Sequence, residues 1–573
     1  MLRTLRVRTA LRRVSLLLLA LAVLAAFGAA PPGATRHRKK RPKADVRDAA
    51  VFDDACRRAL HVLNRLGFGA RPGDVERVLA MGIPSYIDAQ LDPARIPDPE
   101  VDAALDGFPT LRMDEASLLL VFDRPDRDAR RFLDKERNAA MTSGDAPGPA
   151  AAEDAARRIQ ARVSEIVTPA RRPQRVLEEL TQARVIRALA SERQLEEVLV
   201  DFWMNHFNVF AGKDADRILV ASFENEVIRP HLWGCFRDLL LATARSPAML
   251  LYLDNAQSVA DVEHRPGAVP AYSPASNPAP RPGLNENYAR ELMELHTLGV
   301  DGGYTQDDVI NVARILSGWG VADGAFQYHP RLHDDGAKVV MGEKFAAGGG
   351  EQEGNRLLEY LATHPATIKH VCKRLCMRLV ADDPPKDVVD AAATAWLTSG
   401  GDLAAVVRAI VHAPAFWRPE IRGSKIKSPL ELAVSMVRAV GGELDGTGLA
   451  KVMVKLGQPP LLAPAPTGYA DSAAAWLSTA GALERMDVAL GLAAERLPGV
   501  RVALDRTLPL PVNETPEQWR VATLSKLDAM VAGGLSPPTR AVIERWIARP
   551  KQPPQARTIA LALALASPEF QRQ

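Results

Sequence analysis

The stretch Leu284-Asn-Glu-Asn-Tyr-Ala-Arg-Glu-Leu-Met-Glu-Leu-His-Thr-Leu-Gly299 decides how the whole chain is read. Asn285 suits a helix N-cap, and Gly299 suits the stop after the last turn. With Glu286 set at zero, a helix places Arg290 at about 40°, Glu294 at about 80°, Asn287 at about 100° and Glu291 at about 140°. All the charge falls in one sector. Tyr288, Ala289, Leu292, Leu295 and His296 take the other side, so His296 is expected among apolar neighbours. The polar sector reads in two ways. It is a solvated face held by Glu286–Arg290–Glu294 pairs, each worth about 0.2–0.5 kcal/mol. Alternatively, it is a site in which three carboxylates crowd one Arg. Crowding of that kind lifts a carboxyl pKa toward acid/base work, or holds a cation. Glu286, Arg290, Glu291 and Glu294 are therefore the candidate catalytic residues, with Asn287 as a binding residue beside them.

Outward from this helix, helical spacing dominates from about residue 54 to the end. Ser428-Pro429-Leu430-Glu431 and Thr515-Pro516-Glu517-Gln518 are capping boxes with Pro at the first helical position. Thr305-Gln306-Asp307-Asp308 is a shorter-armed version, and Ser246-Pro247 opens another helix. Strand signals are scarce, with Lys338–Met341 the best. The fold class expected is all-α: a large, bundle-like multi-helix body with long loops and at most a small β-hairpin near 338–345.

Composition is that of a globular protein, with 47% hydrophobic and 25% charged residues among 573, so wholesale disorder is excluded. Four Cys exclude a disulfide scaffold. Cys372 and Cys376 follow Leu375 and Leu379 on one helical stripe and read as core; the pairing of Cys56 and Cys235 stays open. Arg3, Arg6, Arg8, Arg12, Arg13, Arg36, Arg38, Lys39, Lys40, Arg41 and Lys43 stand before any acid. Removing those eleven cations leaves 61 basic against 69 acidic residues, a net of −8 for residues 44–573. Such a body lacks the basic footprint that a nucleic-acid partner requires.

The amino terminus reads as an address. A cationic start, the largely apolar Val14–Ala26 and the small residues Gly28, Ala29 and Ala30 form the three parts of a signal peptide over 1–30. Arg12-Arg13 allows a twin-arginine route as well as the general secretory one. The expected location is exported, periplasmic or extracellular, with no transmembrane helix in the mature form. Residues 31–52 are expected as a basic disordered linker and 53–573 as the helical body. Within that body, 143–156 reads as an Ala/Gly/Pro-rich insertion, 262–283 as a Pro-rich loop and about 425–573 as a C-terminal helical part.

Several further residues carry polar chemistry. In Leu195–Phe210, LEEVLVDFWMNHFNVF, His206 falls in the apolar stripe and is either a hydrogen-bonded core residue or a ligand. Asp201, Asn205 and Asn208 form a polar patch on its flank. Asp254 and Asn255 end an apolar run and could enter a cleft. His333 and Asp334 could be metal ligands or a base with its orienting acid, though a polar turn explains them too. No metal ligand set is complete, and no cofactor is indicated. There is no nucleophile elbow, zinc-protease motif, phosphate loop or dinucleotide fingerprint. The eight Trp are scattered, which favours core packing over sugar stacking.

Taken together, HVLNRLGFG (61–69), LVDFWMNHFNVF, the 224–255 segment, GLNENYARELMELHTLGVDGGYTQDDV, HDDGAK (333–338), LGQPP with AWLST, and SPEFQ resemble the bacterial family called domain of unknown function 1800. The resemblance runs in order from about residue 55 to the end. It implies an exported, largely helical protein, often encoded beside a protein similar to sulfatases and alkaline phosphatases, and it carries no established activity. Its polar hallmarks map to Asp254, Asn255, Asn285, Glu286, Asn287, Arg290, Glu291, Glu294, His333 and Asp334. The chain departs from the pattern at 459–470, PPLLAPAPTGYA. The expected function is an exported envelope protein for binding or assembly, acting with a sulfatase- or phosphatase-like partner. The alternative is a hydrolase or lyase, metal-assisted or not, working from the 284–299 helix.

Overall fold

A computed structural model describes residues 43–142, 149–261, 264–265, 283–444, 447–502, 504–531, 533–548 and 553–573. The signal segment, residues 31–42 and most of the Pro-rich loop lie outside them. The elements that matter here are α1 (Lys43–Arg65), α2 (Gln174–Ala190), α3 (Gln194–His206), α4 (Asp216–Ser222), α5 (Glu286–Glu291), α6 (Gln306–Leu316), β1 (Trp319–Ala322), β2 (Ala325–Tyr328), β3 (Lys338–Val340), β4 (Glu343–Phe345), α7 (Glu351–Thr363), α8 (Pro365–Leu379) and α9 (Pro429–Ala439). The protein is all-α in class. One apolar cluster runs continuously from Ala59 to Phe570, and α3 lies almost wholly within it. Among the described residues, no helix is long and apolar enough to cross a membrane.

Local chemistry sets the helix starts. Asn285 Oδ1 accepts from the Asn287 and Tyr288 amides, and the boxes at Ser428, Thr515 and Thr305 are all closed. Two segments depart from the linker expectations. Residues 43–52 belong to α1, and 149–156 open the helix Pro149–Ile166. Ala, Lys and Arg in the first stretch and Ala and Glu in the second are good helix formers, and Pro149 stands where a first turn tolerates it.

The hairpin expected near 338–345 is present, with Val340 opposite Glu343. Two further strand pairs correct the limit of one hairpin. β1 pairs with β2, and Glu443–Leu444 pairs with Val500–Arg501. The first of these had a sequence signal. Asp323-Gly324 lie between the paired residues Ala322 and Ala325 at φ 50° and 80°, the left-handed pair that a two-residue hairpin turn needs. Trp319 on β1 is fully buried against α7, where a Cβ on Gly354 would fall 2.1 Å from the indole. Gly354→Ala is therefore expected to cost about 1–3 kcal/mol by overpacking, read as a lower urea midpoint with an unchanged slope.

Two helices continue into π-helical turns. α4 runs into Phe223–Ile228, and α5 runs into Leu292–Thr297. A wider turn advances less than 100° per residue, so a helical wheel over-rotates beyond Leu292. Thr297 Oγ1 donates to the Leu292 carbonyl at 2.7 Å, satisfying a group at this irregular end.

Candidate functional site

The flank of α3 that carries Asp201 and Asn205 forms one wall of a solvent-reaching cleft. Arg184 of α2, Arg378 of α8, Lys425 and Glu431 at the start of α9, and the segment 458–476 complete it. The cleft is narrow, with a cavity volume of ≈ 70 Å³. That is room for a few water molecules. A wider groove of ≈ 1400 Å³ lies between the α1 region, Arg438 of α9 and Lys526, but its charged residues include Arg71, Asp74, Arg77 and Glu192, which are paired with one another. The α3 cleft is the better candidate because its carboxylates are not equally satisfied.

That inequality follows from how two guanidinium groups are shared. Arg184 lies 2.7 Å from Glu224 and 2.9 Å from Asp201. Arg378 is held tightly by Glu431 and stands 3.8 Å from Asp201. Each Arg is thus nearer another acid. Burial raises the Asp201 pKa, and Glu431 and Asp471 nearby add to the rise against the two Arg. Glu431 behaves oppositely. Burial would raise it, but Arg378, Gln573, the Ser428 amide and Lys425 outweigh that and hold it at about 2. One cleft therefore contains a carboxyl whose pKa is raised and one whose pKa is lowered, a pattern found at functional sites and also in structural ion networks. The Asp201 side chain retains 22% of its exposure, so a ligand can reach it.

The segment 459–470 crosses the cleft as a strap tied down by its backbone. Asn205 accepts from the Tyr469 amide at 2.7 Å and donates to its carbonyl at 2.8 Å. Asn208 donates to the Ala463 and Ala465 carbonyls, Tyr252 Oη to Pro464, and the Ala211 amide to Leu461. Gly468 sits at φ 66°, and a Cβ there would fall 2.4 Å from Asn205 Oδ1. Only glycine fits both the turn and the approach. This is the stretch in which the sequence departs from the resemblance, and it still supplies an aromatic residue, Tyr469, to the rim.

The α5 residues singled out from sequence lie on an outer face. Glu286 and Arg290 are 43% and 40% exposed and stand 3.5 Å apart. Gln306 of α6 bridges them, donating to Glu286 and accepting from Arg290. Glu294 accepts from Tyr304 Oη, and Asn287 is exposed. Glu291 is half-buried, and burial with Glu294 nearby raises its pKa. None of these residues lines either cleft.

The other candidates are mostly fasteners. His206 is buried, its Nε2 3.2 Å from the His296 carbonyl, and burial with nearby Arg374 keeps it neutral. His296 is buried as expected, and burial lowers its pKa to about 3. Asn255 is fully buried and donates to the Leu316 and Trp319 carbonyls. His333 Nδ1 contacts the Ser317 carbonyl at 2.9 Å. Asp334 takes Arg314 at 2.9 and 3.0 Å and the Gly336 amide, while Lys338 bridges its carbonyl to Glu353. These contacts tie the β3–β4 hairpin and the segment before it to α6 and α7. Asp254, at φ 61°, is half-exposed and pairs with Lys213 at 2.6 Å. Among the described residues, no three His, Cys, Asp or Glu side chains converge to hold a metal ion.

The residues missed from sequence are Arg184, Arg378, Lys425, Glu431, Tyr469, Asp471 and Trp476. Glu431 was legible only as a capping residue. Trp476 stands in the AWLST segment and differs from the core residues Trp203, Trp319, Trp396 and Trp519 by remaining partly exposed.

The profile of the family described as "Protein of unknown function (DUF1800)" matches residues 61–572, nearly the whole chain. No curated protein and no solved structure matches it.

Proposed function

Because the chain belongs to the DUF1800 family, whose description names no activity, we propose a function from its own residues: it is an exported protein that binds a polar envelope component in the α3 cleft. The observation that carries this reading is Asp201, a reachable carboxyl whose two Arg neighbours are each committed more closely to another acid. Such a group gains a partner when a ligand hydroxyl or amide arrives, so binding improves its hydrogen bonding instead of breaking an ion pair. Export is supported by the three-part layout of residues 1–30. The sulfatase- or phosphatase-like partner implied by the resemblance would be the enzymatic half of a pair in which this chain supplies attachment.

The test is co-sedimentation of the purified protein with isolated bacterial envelopes. The double variant Asp201→Asn/Tyr469→Ala is expected to lower the bound fraction at least about tenfold, as loss of two central contacts does, with an unchanged circular dichroism spectrum. Equal sedimentation of the two proteins rejects the cleft. The hydrolase or lyase alternative rests on the raised Glu291 pKa, and Glu291→Gln is its separate test: loss of turnover on an envelope substrate, with sedimentation intact, would favour it.

A further inference from the structure

We propose that residues 459–470 are a lid: the narrow α3 cleft is its closed state, and lifting the strap opens the floor around Asp201 to a ligand. This rests on the cleft being the binding site. Position is the first observation. Pro460, Leu461 and Tyr469 of the strap line the cleft together with Asp201, Asn205 and Arg378. With the strap in place the space is ≈ 70 Å³, which admits a few waters and nothing larger. Both ends of the strap are anchored. Upstream, the Gln458 side chain accepts from the Leu430 amide at 2.9 Å, and its own amide donates to the Met453 carbonyl at 2.9 Å. Downstream, Asp471 pairs with Arg374 at 2.9 Å, its carbonyl accepts from Lys425 at 3.1 Å, and the Ala473 amide donates to Asp382 at 2.6 Å. The stretch between can therefore move without releasing either neighbour.

The second observation is how the middle is held. The described residues 459–470 include no helix or strand, and Ala463 alone among them is buried. The ties from α3 and its neighbours are polar and end on the main chain of the strap: Asn205 on the Tyr469 amide and carbonyl, Asn208 on Ala463 and Ala465, Tyr252 on Pro464, and the Ala211 amide on Leu461. Such bonds are exchanged for bonds to water when the strap lifts, so their net worth is small, and little apolar surface is uncovered. A segment held in this way opens without unfolding the rest of the protein. Leu461 adds a push. It sits at φ 59°, where an L side chain is strained, and its carbonyl takes the Ala211 amide at 3.0 Å. Release of that bond lets the backbone relax. Gly468, at φ 66°, supplies the bend at the other end of the strap.

The experiment is hydrogen exchange of the full chain, read at the amides of Tyr469 and Ala211, which bridge strap and body. In the parent, both are expected to exchange at least about tenfold faster than the interior amides of α3, at a rate that urea below the unfolding transition leaves unchanged, because local opening uncovers little surface. Asn208→Ala removes two of the ties and is expected to speed both amides about tenfold, the scale of two modest hydrogen bonds. The same variant should raise the fraction that sediments with envelopes, because a larger share of molecules is open. The lid is overturned if both amides exchange at the rate of α3 and respond to urea as α3 does. It is also overturned if Asn208→Ala leaves them unchanged, or speeds them without raising sedimentation. If the lid fails in one of these ways while Asp201→Asn/Tyr469→Ala still lowers sedimentation, the cleft stands and the strap is a fixed wall. If exchange shows the opening but that double variant sediments as the parent does, the cleft reading fails and the lid has nothing to gate.

Discussion

Replacing Glu224 by Gln is expected to cost roughly 3–5 kcal/mol of folding stability, the range for breaking a buried ion pair from one side. Glu224 is fully buried on the π-helical turn after α4. It accepts from Arg184 at 2.7 Å, from Arg229 at 2.8 and 3.0 Å, and from Arg187 at 3.4 Å. Burial alone would raise its pKa; Arg229, Arg184 and Arg187 together reverse this and hold it at about 2. An amide keeps the shape but leaves three guanidinium groups short of a counter-charge, with Glu197 and Asp201 left to serve Arg229 and Arg184. The pH dependence has the same origin. The folded pKa lies below the ordinary value, so this stabilisation is complete above about pH 4.5 and fades as pH falls toward 2. Urea titrations at pH 7 should show the loss in Glu224→Gln, and at pH 2 the variant and parent should converge. A Glu224→Gln protein as stable as the parent at pH 7 would mean that the network contributes nothing.

Asp216→Asn should act in the opposite direction. Asp216 is buried at the first turn of α4, and neither carboxyl oxygen has a hydrogen-bond partner. Burial raises its pKa to about 8; Lys213 opposes the rise, while Asp214 and Asp254 add to it. The folded state therefore holds a proton that the unfolded chain releases near pH 4. Stability from this residue is greatest below that value and falls as pH rises toward 8. Between pH 6.5 and 8 the loss is about 2 kcal/mol, at about 1.4 kcal/mol per pH unit. Lys427, lowered to about 7 by burial, tilts the slope the other way over part of this interval. The quantity to measure is therefore the difference between variant and parent. Melting temperatures at the two pH values should show Asp216→Asn gaining on the parent as pH rises. Parallel curves would show that Asp216 is ionised in the fold.

Much of the local structure could be read along the chain. Asn285, Ser428, Thr305 and Thr515 cap the helices their spacing implied, because a cap needs only neighbours three residues away. His206 and His296 fall in the apolar stripe, as helical periodicity places them. The polar patch of Asp201, Asn205 and Asn208 was also visible, whereas its importance relative to α5 was not. A helical wheel shows which residues share a side but not what packs against it. α6 covers the α5 face with Gln306, while the α3 flank meets segments from more than 170 residues further along. The Trp residues show the same limit. Composition could not separate Trp476 at a cleft rim from Trp319 in the core.

Sequence alone determined the helical class, the capped helix starts, the 338–345 hairpin and the family resemblance, because each depends on neighbouring residues or on ordered motifs. Only the tertiary structure decided that His333, Asp334 and Asn255 are internal ties and that the cleft lies on α3. Those outcomes depend on which distant acid each arginine reaches first, and on how burial and competing charges divide the protons among them. Neither is written in any local spacing.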